Sequence, residues 1–170
     1  MLCAVARHLQ ATGSDTAGAA AAAAEPKLLT DEQMRRFIAQ GYLTLRIDEL
    51  GADFHEALYE HARTEFGPNN NGLTGTGGST DRIPELLTMV NSPTVVGALT
   101  SIIGPDYMGG RLGPTPGCAL HVSTDEDQIF HKDTQRGVIK EHRTRDVMVM
   151  YYPGGADESM GPTAIVPSSH

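Results

Sequence analysis

The hexapeptide Gln128–Asp133, Gln-Ile-Phe-His-Lys-Asp, contains the residues whose types and spacing are best suited to chemistry. In an extended chain successive side chains point to opposite faces, so we expect His131 and Asp133 on one face and Lys132 on the other. An imidazole and a carboxylate on one face of a strand are two of the three ligands in the 2-His-1-carboxylate site that holds non-haem Fe(II). Because so short a motif often arises by chance, the surrounding sequence has to support this interpretation.

The composition favours a single acidic domain. The chain has 170 residues, which is enough for one domain with a sizeable core. Its 13 Lys and Arg residues against 21 Asp and Glu residues give a net charge of −8, which argues against nucleic-acid binding because phosphate contacts need a basic surface. No apolar run approaches the roughly 20 residues of a membrane span. Cys3 and Cys118 predict neither a disulfide framework nor a cysteine-based zinc site.

Residues 1–27 are an alanine-rich segment of low complexity, and we interpret residues 28–170 as the folded domain. An unpacked tail is the favoured interpretation of the segment, because alanine-rich sequence offers little apolar surface to offset ordering entropy. An organellar transit segment fits the shortage of acidic residues, although Arg7 is the one firm cation of residues 1–26. A secretory signal fits less well because large hydrophobic residues are missing. The expected location is therefore cytoplasmic or organellar.

Four helices are predicted before residue 105. Thr30 and Gln33 have the spacing of a capping box, and Gly41 supplies the stop for the first helix. The other three are predicted at residues 51–66, 84–90 and 92–103. His55 and His61 lie in the second helix with no further ligand four residues away, so we interpret both as helix-surface histidines.

After residue 105 the sequence changes to short strands separated by Gly and Pro. The strongest strand pattern is Thr144–Tyr152. Weaker patterns lie at residues 42–46, 107–113, 118–124, 129–133 and 163–166. Helices first and strands after predict an α+β fold, in which N-terminal helices pack on a double-stranded β-helix of the jelly roll or cupin-like kind.

Three segments together resemble the phytanoyl-CoA dioxygenase-like family of Fe(II)/2-oxoglutarate-dependent oxygenases. Leu29–Tyr42 is similar to that family's opening helix and first strand, and His131-Lys-Asp133 to its metal-binding His-x-Asp. Met160–His170 lies about 30 residues downstream of that motif and is similar to the family's Asn-Gly-Pro…Pro-Gly-Ser-His segment. Met160 stands where Asn is usual and Ser168 where Gly is usual. The resemblance extends over residues 28–170.

This resemblance implies an oxidoreductase, a dioxygenase that couples decarboxylation of 2-oxoglutarate to hydroxylation of a small organic substrate. His131 and Asp133 match the family's first two iron ligands. Fe(II) is the implied metal and 2-oxoglutarate the cosubstrate, with ascorbate as a further candidate cofactor. The family's third ligand, a distal His, and its 2-oxoglutarate-binding Arg lie beyond the Pro-Gly-Ser-His segment, and the 170 residues end before both. We therefore expect a jelly roll that is incomplete at the C-terminus and not competent as an isolated chain.

Other residues and functions stay open. His170 is a candidate third ligand, although the matching family His belongs to a turn, while His121 and His142 have no supporting spacing. The basic residues between Lys132 and Arg145 form either a solvated loop or a rim that attracts an anionic substrate. The alternative function is a non-catalytic jelly-roll binding module derived from the same family, and a cupin-type metalloenzyme without 2-oxoglutarate is a further alternative. The oligomeric state is not predicted.

Overall fold

A computed structural model describes residues 2–7, 25–66, 82–105, 107, 119–120, 129–131 and 146–169 of the chain. Within these ranges the helices are α1 (Asp31–Gln40), α2 (Ala52–Phe66), α3 (Glu85–Val90) and α4 (Pro93–Ile103). The strands are β1 (Leu2–Arg7), β2 (Ala119–Leu120) and β3 (Asp146–Tyr151), and short 3-10 turns lie at Asp48–Leu50 and Glu158–Met160. None of the described helices has the length and apolar character needed to cross a bilayer.

The predicted capping box of α1 is confirmed. Thr30 Oγ1 accepts a hydrogen bond from the Gln33 backbone N–H at 3.2 Å, and Gln33 Oε1 accepts one from the Thr30 backbone N–H at 2.9 Å. Gly41 ends the helix in the left-handed conformation with a φ of 81°, and its N–H donates to the Phe37 carbonyl. Both ends of α1 are therefore fixed by local bonds, which is why the sequence predicts them.

The hydrophobic core lies between α2, α3 and α4, and its most deeply buried residues come from the chain around these helices. Leu58, Ile83 and Leu86 are 0% exposed and Met89 is 2% exposed. Tyr151 of β3 packs against the same cluster and is 7% exposed. The three helices confirm the predicted ones, because each presents an apolar face that this cluster buries.

The described strands form one antiparallel sheet in the order β2-β1-β3. β1 pairs with β3 along its whole length, with Leu2 opposite Tyr151 and Arg7 opposite Asp146. β3 confirms the strongest strand pattern of the sequence. β1 lies within residues 1–27 and pairs with β2 and β3, whereas the favoured interpretation of that segment is an unpacked tail. The composition of a segment does not reveal a partner that lies far away along the chain, so the sequence gives no sign of this pairing.

Two predicted strands are wrong. Residues 42–46 and 163–166 are not in strands, and neither has a hydrogen-bonded neighbouring strand among the described residues. Side chains alternate between faces in any extended segment, whereas a β-strand also needs a neighbouring strand joined to it by backbone hydrogen bonds. The predicted strands at 107–113 and 118–124 lie largely outside the described ranges, apart from β2. The jelly roll stays a prediction.

The segment before α1 runs along α4 in close contact. The Lys27 N–H donates to the Pro93 carbonyl at 2.9 Å, and the Leu29 N–H donates to Ser101 Oγ at 3.0 Å. Pro93, Gly97 and Ser101 are spaced four residues apart, so they lie on one face of α4. Gly97 therefore lies between the two residues that accept these bonds. A Cβ at Gly97 would lie 1.9 Å from the Lys27 carbonyl oxygen. The missing side chain at Gly97 therefore permits this contact.

Replacing Gly97 by Ala should destabilise the chain. In a helix this change normally stabilises by about 0.5–1 kcal/mol. Here we expect a loss of about 1–3 kcal/mol in the free energy of unfolding, because the new methyl group displaces the Lys27 backbone. Urea denaturation measures the difference. Gly154→Ala is the control, since its Cβ would meet the Tyr59 ring at an ordinary 3.9 Å. A Gly97→Ala variant as stable as the wild type would contradict the packing.

Glu49 joins the first 3-10 turn to the start of α4. Its carboxylate accepts hydrogen bonds from the Thr94 N–H at 2.8 Å and the Thr94 hydroxyl at 2.9 Å, and from the Lys27 ammonium at 3.1 Å. Burial raises the pKa of Glu49, but the hydrogen bonds from Thr94 and Lys27 outweigh burial and lower the pKa to about 2. The carboxylate thus occupies the first turn of α4, where the helix dipole favours negative charge.

The contribution of Glu49 to stability should depend on pH. Because folding lowers its pKa from 4.5 to about 2, the contribution is complete above pH 4.5 and is lost as the pH falls toward 2. We expect Glu49→Gln to cost about 1–2 kcal/mol at pH 7 and clearly less at pH 3. Chemical denaturation at both pH values measures this, with Glu32→Gln as the control because its side chain is 82% exposed. An equal loss at both pH values would contradict the assignment.

Candidate metal centre

His131 is the predicted iron ligand that the structure describes, whereas Asp133 lies outside the described residues. The His131 side chain is exposed, and its Nδ1 lies 2.8 Å from the Ile129 carbonyl oxygen. A carbonyl oxygen only accepts hydrogen bonds, so Nδ1 carries the proton and the lone pair of the neutral ring is on Nε2. Metal-binding histidines are commonly oriented by a bond of this kind. The tautomer therefore fits His131 as an Nε2 ligand.

The backbone around His131 differs from the predicted strand. Ile129–His131 lie outside any strand, and Ile129 and Phe130 are 84% and 72% exposed. The expectation that His131 and Asp133 share one face of a strand thus stays a prediction. Among the described residues, no group of three or more His, Cys, Asp or Glu side chains is placed to hold a metal ion. Asp133 is not among those residues. The alternative ligands and the basic residues after His131 also lie outside the described ranges: His121, His142, His170 and residues 132–145.

Residues 160–169 contain an unusual backbone conformation. Ser168 has a φ of 61°, and it is the one non-glycine residue with positive φ in the described part of the chain. This left-handed region costs a residue with a Cβ about 1–2 kcal/mol, whereas glycine adopts it freely. The left-handed backbone at Ser168 is therefore one that glycine would adopt with less strain.

Ser168 also joins this turn to the end of α1. Its hydroxyl donates to the Ala39 carbonyl at 2.8 Å, and its N–H donates to the Gln40 carbonyl at 2.9 Å. Both carbonyls belong to the last turn of α1, where intrahelical donors run out. These two bonds offset the cost of the left-handed backbone at Ser168.

Two substitutions at Ser168 should separate strain from hydrogen bonding. Ser168→Gly removes about 1–2 kcal/mol of strain but also the hydroxyl bond, so we expect stability within about 1 kcal/mol of the wild type. Ser168→Ala keeps the strain and loses the bond, and we expect it to be about 1 kcal/mol less stable than the Gly variant. Thermal denaturation compares the two variants with the wild type. An Ala variant more stable than the Gly variant would contradict the left-handed conformation.

The interpretation of His55 as a helix-surface histidine is wrong. Its side chain is half-buried, and Nε2 donates to the Ile47 carbonyl at 3.1 Å. In the neutral ring Nδ1 is then the acceptor, so the Tyr151 hydroxyl donates to it. Burial raises the pKa of Tyr151 to about 12, so this hydroxyl keeps its proton at neutral pH. The sequence does not reveal the contact because 96 positions separate His55 from Tyr151.

His61 also has a partner on another helix. Its Nδ1 lies 3.0 Å from Glu85 Oε2, which joins α2 to α3, and its side chain is 34% exposed. One turn further along α2, Glu65 pairs with Arg82 at 3.0 Å. These polar contacts lie beside the buried core, so we interpret His61 as a residue that helps to position the two helices.

Comparison of the chain with models of protein families, with curated proteins and with solved structures finds no match. Evidence on the function therefore comes from the chain's own residues. The two features that bear on it are the oriented imidazole of His131 and the left-handed turn at Ser168.

Proposed function

We propose that this chain is part of an Fe(II)/2-oxoglutarate-dependent dioxygenase of the phytanoyl-CoA dioxygenase type, which hydroxylates a small organic substrate. The observation that carries the proposal is the hydrogen bond from His131 Nδ1 to the Ile129 carbonyl, because it presents Nε2 as the ligand nitrogen. The left-handed backbone at Ser168 supports the proposal, since glycine is usual at that position in the similar family.

Two residues of this chain would hold the iron. His131 would bind it through Nε2, while the bond from Nδ1 to the Ile129 carbonyl fixes the ring, and Asp133 would add a carboxylate oxygen and a negative charge. When bound, Fe(II) supplies the oxidative chemistry with O2 and 2-oxoglutarate. Loss of either side chain should therefore weaken iron binding strongly.

The sequence after the motif supports an anionic cosubstrate. Between Lys132 and Arg145 there are five Lys or Arg residues against Asp133 and Glu141, within a chain of net charge −8. A local excess of positive charge raises the concentration of anions near it. This favours 2-oxoglutarate, a dianion, as the molecule that approaches the iron.

An anaerobic Fe(II) titration of the full chain, followed by thermal denaturation, tests the metal site. At Fe(II) about tenfold above its Kd, we expect about 1.4 kcal/mol of stabilisation and a rise of a few degrees in Tm. His131→Ala and Asp133→Ala should each abolish the rise. Lys132→Ala is the matched control and should keep it, because Lys132 lies between the two ligands without binding metal. A rise that persists in His131→Ala, or none in the wild type, would contradict the site.

A non-catalytic binding module derived from the same family is the second candidate. The large exposed fractions of Ile129 and Phe130 favour it, since neighbouring apolar side chains on a surface often mark a binding site. Measurement of succinate formed from 2-oxoglutarate separates the candidates. Iron stabilisation without turnover supports the two-ligand site, and the absence of both supports the binding module. Fe(II)-dependent turnover that is lost in His131→Ala would mean that His170 or a partner chain supplies the third ligand.

A further inference from the structure

Helix α1 and residues 161–169, which we call the strap, are less tightly packed than the remaining helices. None of the ten residues of α1 is buried, and every residue of the strap is exposed. By contrast, five residues of α4 are buried. A ten-residue helix is marginal in water unless tertiary contacts support it. Met34 and Phe37 are only half-buried, so the groups that bond to the ends of α1 contribute a large share of its stability.

The strap is hydrogen-bonded near both of its ends. Close to its start, the Tyr152 hydroxyl donates to Thr163 Oγ1 at 2.9 Å. At its other end, Ser168 donates to the Ala39 and Gln40 carbonyls of α1. The first bond joins the strap to the residue that follows β3, and the second pair joins it to α1. The strap thus connects the end of the sheet to the end of α1.

We propose that α1 and the strap form one cooperative unit that opens and closes while the core stays folded. Ser168 couples the two parts because it donates hydrogen bonds to carbonyls in the last turn of α1. When that turn unwinds, these carbonyls move away and Ser168 loses both bonds. Its left-handed backbone stores strain that opening releases, which keeps the closed state only modestly favoured. A ligand that contacts the closed form would shift this equilibrium toward it.

The fixed boundary of the unit lies at the start of α1. There the Leu29 N–H donates to Ser101 Oγ, and the Lys27 N–H donates to the Pro93 carbonyl, so the chain is held against α4. Gly41 lies at the other end of the helix in the left-handed conformation. Opening therefore unwinds α1 from its C-terminal end, where the bonds to Ser168 are lost.

Amide hydrogen exchange of the full chain, followed residue by residue by NMR, tests this inference without any metal. In the wild type, the amides of Gln40, Gly41 and Ser168 should exchange with the same opening constant. The Leu99 amide in α4 should exchange much more slowly, because its exchange requires opening of the core. Equal protection of Ser168 and Leu99 would overturn the proposal.

Two variants test the cooperativity. Ser168→Pro removes the N–H and the hydroxyl and fixes φ near −65°, so exchange at Gln40 and Gly41 should rise at least about tenfold. Thr163→Val removes the hydroxyl that bonds to Tyr152 near the other end of the strap, yet it should raise exchange at Gly41 by about two- to tenfold. Exchange at Leu99 should not change in either variant. A rise confined to the strap in both variants would show that α1 and the strap open independently, which would overturn the proposal.

Discussion

The burial of apolar side chains between α2, α3 and α4 is the interaction on which the described structure depends. Leu58, Ile83 and Leu86 are 0% exposed, and burial of each such side chain contributes about 1.5–3 kcal/mol. α3 and α4 are 6 and 11 residues long, lengths at which a helix is not stable by itself in water. They persist because they pack against α2, and Tyr151 brings β3 onto the same core.

The polar contacts of the helices depend on this packing. Glu49 reaches the first turn of α4 because the core holds the 3-10 turn Asp48–Leu50 beside that helix. The close approach of the Lys27 backbone to Gly97 also requires α4 to be held in place by the core. His55 can bond to Tyr151 only when α2 and β3 share the core. By contrast, Ile129 and Phe130 are largely exposed beside the candidate site. The bond from His131 to the Ile129 carbonyl is a contact between near neighbours, so it needs no distant part of the fold.

The sequence predicts those elements whose causes are local. Thr30 with Gln33 marks the start of α1 correctly, because a cap acts on backbone groups within three residues of itself. The sequence fails where the cause is a distant partner. The pairing of β1 with β3 leaves no local pattern in the sequence. The alternation at residues 42–46 predicts a strand wrongly, because no strand in the described part of the chain pairs with it.

The same distinction applies to the candidate site. His131 and Asp133 can be chosen from their types and spacing, whereas the left-handed backbone at Ser168 was not predicted from the sequence. The tautomer of His131 cannot be predicted, since it depends on where the Ile129 carbonyl points. The partner of His55 could not be found either, because only the folded core brings Tyr151 close.

The most direct test of the iron site is a Mn(II) titration of the chain with 15N-labelled histidine, in which Mn(II) replaces Fe(II) and broadens the signals of nearby nuclei. The chain has seven histidines, and the two-ligand site predicts that the Nε2 signal of His131 broadens at the lowest Mn(II) concentration. Asp133→Ala should remove this preference, because the second ligand is lost. Equal broadening of all histidine signals, or a preference for another histidine, would contradict the iron site.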